Sequence, residues 1–244
     1  MRLEYLPLLA VQRDLYRLPR GPERFREYLR TMIDADTGDL ALPLTSMNPM
    51  GKDHIPPFLD GLLALDADGE GARAAAHAET ELRESSGDFK VGQVVCDDLK
   101  GGWTNRYATE LSHRFEQGSM YKRGWMTGLL WTSETYRNAG IREEILACAF
   151  RAAYIQKHGR ARTLAERLAQ EAHAMSRAGM SMPILEPGDL TYTREILAPL
   201  MESLDPSTHM AALFGDPAAR ELGLKPLGLS PWAGLALALQ DARG

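Results

Sequence analysis

Apolar residues in this chain fall into short unbroken runs, separated by longer stretches of helical period. LALPLTSMNP (40–49), FKVGQVVCDD (89–98) and GWMTGLLWTS (124–133) are runs that end in polar loops. Runs of this length without alternation predict strands buried on both faces. Strands are therefore expected at 40–47, 90–97 and 125–132, with Pro43 placing the first at a sheet edge. A fourth short strand is expected at 181–185, SMPIL.

Between the runs the period is helical. It holds over 5–34, with a break from Pro19 to Pro22, and over 55–84 in two pieces divided near 66–71. Helices are also expected at 104–117, 138–157, 163–178, 191–204 and 231–241. Thr163 and Glu166 have the spacing of a capping box, and Thr104 is placed to cap the helix at 104–117. Strands alternating with helices predict an α/β fold: a mostly parallel sheet of three to five strands, helices on both faces, and a helix-rich C-terminal half. No long linker interrupts the 244 residues. The expectation is a single α/β domain over 1–244, with 138–244 free to form a helical cap or subdomain.

Composition narrows the partners. Hydrophobic residues make up 44% and charged residues 25%, as in soluble globular proteins. A net charge of −5 argues against nucleic acid, whose phosphates call for clustered Lys and Arg. Arg17, Arg20, Arg24, Arg26 and Arg30 do cluster, but Asp14, Glu23 and Glu27 are interleaved, which predicts a solvated helix face. Cys96 and Cys148 are too few for a disulfide framework and fit buried thiols in a reducing cytoplasm. Glu4 and Pro7 interrupt the first apolar run, which reads poorly as a signal peptide, and no run reaches the ~20 residues of a membrane span. A cytoplasmic protein with a small-molecule ligand is expected. A homo-oligomer is left open.

The chemistry concentrates in the loops after the runs. Ligands of open parallel sheets bind beyond the carboxyl ends of the strands. TSMNPMGKDH (45–54), DDLKGGWTNRY (97–107) and TSETYRN (132–138) would converge there. Asn48, Lys52, Gly101, Gly102, Trp103, Thr104, Asn105 and Arg106 are the candidate ligand-binding residues. The glycines allow close backbone approach, Trp103 offers an apolar wall, and Lys52 and Arg106 offer positive charge for an anion. Asp97, Asp98 and His54 are the candidate catalytic residues. Either aspartate could act as base, or both could ligate a divalent metal such as Mg²⁺. The cofactor is otherwise left open. Adjacent strand residues face opposite sides, so only one aspartate is expected to reach a given pocket. Ser46, Thr132 and Ser133 are nucleophiles in principle, with no GxSxG elbow to support them.

Other signals are weaker. Glu110 and His113 share a helix face, as in carboxylate-bridged metal bundles, but the motif occurs once. A solvated stripe of Arg106, Glu110, His113 and Gln117, with Arg106 paired to Glu110 and Ala108, Leu111 and Phe115 buried opposite, is expected instead. Residues 66–71 open like a calcium loop, yet position twelve is His77, which excludes it. There is no Walker or dinucleotide glycine motif. Two readings follow. One is an enzyme acting on a small polar or anionic substrate by hydrolysis or group transfer, with a divalent metal assisting where one is bound. The other is a non-catalytic ligand-binding or interaction module on the same scaffold.

Overall fold

Three strands, β1 (Arg2–Tyr5), β2 (Asp88–Cys96) and β3 (Trp125–Trp131), form a parallel sheet in the order β1-β2-β3 in the computed structural model, which describes residues 1–99 and 104–243. The register sets Arg2 beside Asp88 and Lys90 beside Trp125, and runs on to Cys96 beside Trp131. The runs expected at 90–97 and 125–132 are thus neighbouring parallel strands. All seven residues of β3 are buried, which is why its sequence shows no alternation.

The run at 40–47 is not a strand. Among the described residues its one pairing is a single antiparallel bridge between Leu40 and Ile33. Beyond that the backbone turns on itself, with Leu44 N–H donating to the Leu42 carbonyl and Met47 N–H to the Leu44 carbonyl, each at 2.9 Å. Leu44 and Met47 are fully buried on this turning backbone. Pro43 has no N–H for a ladder. The sheet takes Arg2–Tyr5 instead, where Leu3 alone is buried, a pattern too short to stand out from the helical period after it. The strand expected at 181–185 is also absent: that segment is irregular, with Met182 and Ile184 59% and 57% exposed.

The chain divides into two compact units. The first comprises Met1–Thr109 and Gly118–Ala149. It holds the sheet with helices α1 (Leu8–Leu15), α2 (Pro22–Met32), α3 (Ile55–Ala64) and α4 (Ala67–Glu81), the first turn of α5 (Arg106–Phe115), α6 (Gly118–Lys122) and the first part of α7 (Asn138–His158). Its core gathers Leu8, Leu9, Leu44, Met47, Ile55, Leu59, Val94, Leu130 and Ile141. Gly92 on β2 is required by α1, since a Cβ there would stand 2.5 Å from Leu8 Cδ1. β1 stops short of the upper half of β2, and Gln12 of α1 takes its place. Val95 N–H donates to Gln12 Oε1 (2.8 Å), and Gln12 Nε2 donates back to the Val95 carbonyl (3.2 Å). The arginine cluster lies mostly on the surface, with Arg17 paired to Asp14 and Arg30 to Glu27. Arg24 is the exception: it is buried, its guanidinium 4.9 Å from the Tyr16 ring and bonded to the carbonyls of Leu18 and Gly51.

The second unit comprises Glu110–Gln117 and Phe150–Gly244. It holds α8 (Leu164–Ala178), α9 (Pro187–Leu197), α10 (Pro206–Phe214), α11 (Asp216–Glu221) and α12 (Ala233–Asp241), with the remainders of α5 and α7. The expected capping box of Thr163 and Glu166 starts α8. Two helices, α10 and α11, lie in a tail that pattern alone left unread. Their start signals are ordinary ones: Asp205 accepts from Ser207 and Thr208 N–H groups, and Pro206 takes the first helical position.

The face of α5 differs in part from that expected: Phe115 is buried as the pattern predicts, but its companions are not the expected ones. Glu110 and Arg114 are buried, while Ala108 is exposed and Leu111 is only partly covered. Glu110 pairs with Arg114, not with Arg106. Arg114 also pairs with Glu171, and Glu171 accepts from both Nε (2.7 Å) and Nη2 (2.9 Å) of Arg151. Gln170 closes the cluster by donating to Glu171 Oε1 and to the Arg114 carbonyl. Two carboxylates and two guanidiniums thus neutralise one another out of water. Burial alone would raise the Glu171 carboxyl, but Arg151 and Arg114 override it and hold the group down to about 2.

Candidate functional site at the strand ends

β2 ends at Cys96, and the next two residues carry the carboxylates. Asp97 is 2% exposed, and both of its oxygens are occupied. Oδ2 accepts from the Asn48 amide at 2.8 Å. Oδ1 lies 2.8 Å from His54 Nε2 and accepts from Leu99 N–H at 3.2 Å. Asp98 turns the other way. Its oxygens accept from Ser133 N–H (3.0 Å), Ser133 Oγ (2.6 Å) and Arg106 Nη1 (3.3 Å). Thr132, just beyond β3, joins the two sets, with Oγ1 3.2 Å from Asp97 Oδ1 and 3.1 Å from Asp98 Oδ1. The two aspartates face different partners, as alternation requires, yet share one hydroxyl.

The loop after residue 44 delivers Asn48 and His54 without a strand to carry it. Tyr16 donates its phenol to the Asn48 carbonyl, and Asn48 Oδ1 accepts from Met50 N–H at 3.1 Å. Burial raises the Tyr16 phenol, against the pull of Arg24, which keeps it a donor. Gly51 is needed where the loop crosses this phenol, because a Cβ there would come within 2.7 Å of the Tyr16 oxygen and into Ile55. His54 precedes α3, whose second and third residues are Pro56 and Pro57. Those prolines carry no N–H, so the start of α3 is a poor anion cradle.

His54 is held by one nitrogen only. An ionised carboxylate can only accept, so a neutral imidazole placed here carries its proton on Nε2 and its lone pair on Nδ1. Nδ1 is shielded from solvent and has no hydrogen-bond partner among the described residues. Thr104 Oγ1 is in the same state. The cap expected of Thr104 belongs to its neighbour: Asn105 Oδ1 accepts from Ala108 N–H at 2.9 Å, and the helix begins at Arg106.

Of the residues singled out by sequence, Asn48, His54 and Asp97 meet in one cluster, and Asp98 and Arg106 in the adjoining one. Arg106 also holds Glu134 at 2.7 Å and Ser133 Oγ at 2.9 Å, with its guanidinium 5.4 Å from the Trp131 ring. Lys52 is exposed. Gly101, Gly102 and Trp103 lie outside the described residues. Among the described residues, no group of three or more His, Cys, Asp and Glu side chains is arranged to hold a metal ion. A Mg²⁺ ion at Asp97 and Asp98 would have to displace protein donors from their oxygens. Tyr16 and Glu134 were not anticipated. A lone tyrosine in a helical run carries no local signal of a contact 32 residues away.

No protein-family model, curated protein or solved structure matches the chain. No helix among the described residues is long and apolar enough to cross a membrane.

Proposed function

We propose that the chain is an enzyme that acts on a small polar or anionic substrate at the strand ends, with His54 as general base and Asp97 as its positioning residue. The observation that carries this is the His54–Asp97 pair: one ring nitrogen fixed at 2.8 Å by a buried carboxylate, the other shielded and without a hydrogen-bond partner among the described residues. Leaving a buried acceptor unpaired costs about 1–3 kcal/mol, which a bound water or hydroxyl nucleophile would relieve. Asp97, with both oxygens occupied, is poorly placed to take a proton itself. It is well placed to stabilise the imidazolium formed when Nδ1 removes one. Hydrolysis or group transfer to a hydroxyl is the reaction class this supports. Asp98, Ser133 and Arg106 brace the adjoining loops, and Arg106 brings a cation to this edge. Helices on both faces of the sheet would leave this edge as its open side.

The test is turnover of nitrophenyl esters of phosphate, carboxylates and sugars by the purified protein and by His54→Gln. One ester class should be cleaved, and His54→Gln should lower kcat by roughly 10²–10⁴-fold, the range of general-base catalysis. Equal turnover by the variant would remove His54 from the reaction. Absence of turnover, together with ligand-induced thermal stabilisation that needs Asn48 and Asp97, would favour a binding module instead.

A further inference from the structure

The second unit contains an arginine, Arg167, with idle donors among the described residues. Arg167 lies in the first turn of α8. Its guanidinium sits on the Phe115 ring, 4.6 Å from the centroid, so one flat face is covered. Nε and Nη1 are shielded from solvent and have no hydrogen-bond partner among the described residues. Burial holds its pKa below the ordinary value, with only the charge of Glu116 opposing, and Glu116 is exposed and makes no ion pair with it. The contrast lies in the same unit: Arg114 and Arg151 each hold Glu171. A shielded guanidinium with idle donors is costly, and that cost falls when an anion accepts from it.

A second idle group stands close by. The Ser203 carbonyl accepts from Leu164 N–H (3.1 Å) and from His209 Nε2 (2.7 Å), so the His209 ring stands against the turn that carries Arg167 three residues on. His209 is 0% exposed, and its Nδ1 has no partner among the described residues. Burial, and then the charge of Arg167, keep the imidazole below its ordinary value, so at neutral pH Nδ1 is an acceptor. The carboxylate of Asp205 is engaged by Ser207 and Thr208. The N–H groups that open α8 are taken as well: Leu164 by Ser203, Ala165 by Met201, Glu166 by the Thr163 hydroxyl. The idle groups are therefore a donor set on Arg167 and one acceptor on His209.

We propose that this corner of the second unit binds a small oxyanion that still carries a proton, of the phosphate class: inorganic phosphate, or a phosphomonoester taken up as its monoanion. Its charged oxygens accept from Arg167, and its hydroxyl donates to His209 Nδ1. Sulfate, which has no proton at neutral pH, satisfies only the first half, and a carboxylate does no better.

The test is thermal unfolding of the full chain in inorganic phosphate, glycerol phosphate, sulfate or chloride at matched ionic strength, up to ~20 mM, with saturation as the mark of a site. Phosphate or glycerol phosphate should raise Tm in a saturating way and sulfate should raise it less. A response to inorganic phosphate alone marks the free ion as ligand, and a response to both admits monoesters. Arg167→Met should abolish the shift while leaving the anion-free Tm equal to or above that of the wild type. An equal shift in Arg167→Met, or none in the wild type, overturns the proposal, the second meaning that water alone fills the corner. Should Arg167→Met fail to fold, calorimetric titration with phosphate decides through Arg167→Lys. Loss of the guanidinium should then weaken binding by about 10-fold or more, and undiminished affinity would likewise overturn the site.

Discussion

Asp97 in the first unit and Glu171 in the second are both buried carboxylates with every oxygen engaged, yet they are satisfied by different means. Glu171 is met by two guanidiniums, and with Glu110 the cluster sums to zero charge. Asp97 is met by an amide, a hydroxyl, a backbone N–H and an imidazole. Only the imidazole can supply a compensating positive charge, by taking a proton on its far nitrogen. The first arrangement sets charge against charge, while the second sets a carboxylate against hydrogen-bond donors. A buried carboxylate alone therefore does not mark a reactive site. What distinguishes Asp97 is that one of its partners is an imidazole whose other nitrogen has no hydrogen-bond partner among the described residues.

The comparison is broken most directly from the Glu171 side. Glu171→Leu should cost about 3–5 kcal/mol in denaturant unfolding, because it takes the shared carboxylate from two buried guanidiniums and leaves Glu110 as the one carboxylate of the cluster to offset them. Replacing the cluster as a whole, with Glu110→Leu, Arg114→Met and Arg151→Met added, should return most of that loss. A single-variant cost below ~1 kcal/mol would mean that the arginines reach water and that the cluster is not closed. A second effect is read on the wild type by following unfolding against pH. The Glu171 carboxyl titrates at about 2 in the fold against 4.5 in an unfolded chain. Its stabilising contribution is therefore complete above pH 4.5 and is lost as pH falls toward 2. Glu171→Gln should flatten that limb of the profile, whereas His54→Gln should leave it unchanged. The smallest stability effect belongs to the other carboxylate. Asp97→Asn keeps the shape but turns an amide toward the Asn48 amide, at a cost of about 1–3 kcal/mol. It should nonetheless reduce turnover nearly as far as His54→Gln does, because the ring would lose its tautomer and orientation.

Legibility in the sequence followed the range of the interactions involved. β2 and β3 could be read because burial on both faces writes itself into consecutive residues. The convergence of Asn48, His54, Asp97, Asp98 and Arg106 followed from the polar loops at strand ends, even though the loop carrying Asn48 and His54 leaves an irregular segment and not a strand. The residues 40–47 misled because apolar content reports burial and not conformation, and Pro43 weighed more heavily than the run around it. The face of α5 misled for a different reason. Glu110 and Arg114 look solvated in any local window, and the partners that make them buried, Glu171 and Arg151, lie tens of residues away. The same separation hid Tyr16. Arg24 was hidden by its company, since its four neighbouring arginines behave as surface residues and it does not.

Gln12 has a consequence for how this protein meets copies of itself. A strand that outlasts its neighbour presents bare amide and carbonyl groups, the template on which another chain can add a strand and begin an aggregate. At Val95 that template is already filled by a side chain that mimics one residue of a strand, donating once and accepting once. Because the plug belongs to α1, packed in the core of the same unit, it cannot be displaced without loosening that helix. The sheet is closed to edge-to-edge growth at this point without a further strand, and the short β1 is long enough for that reason.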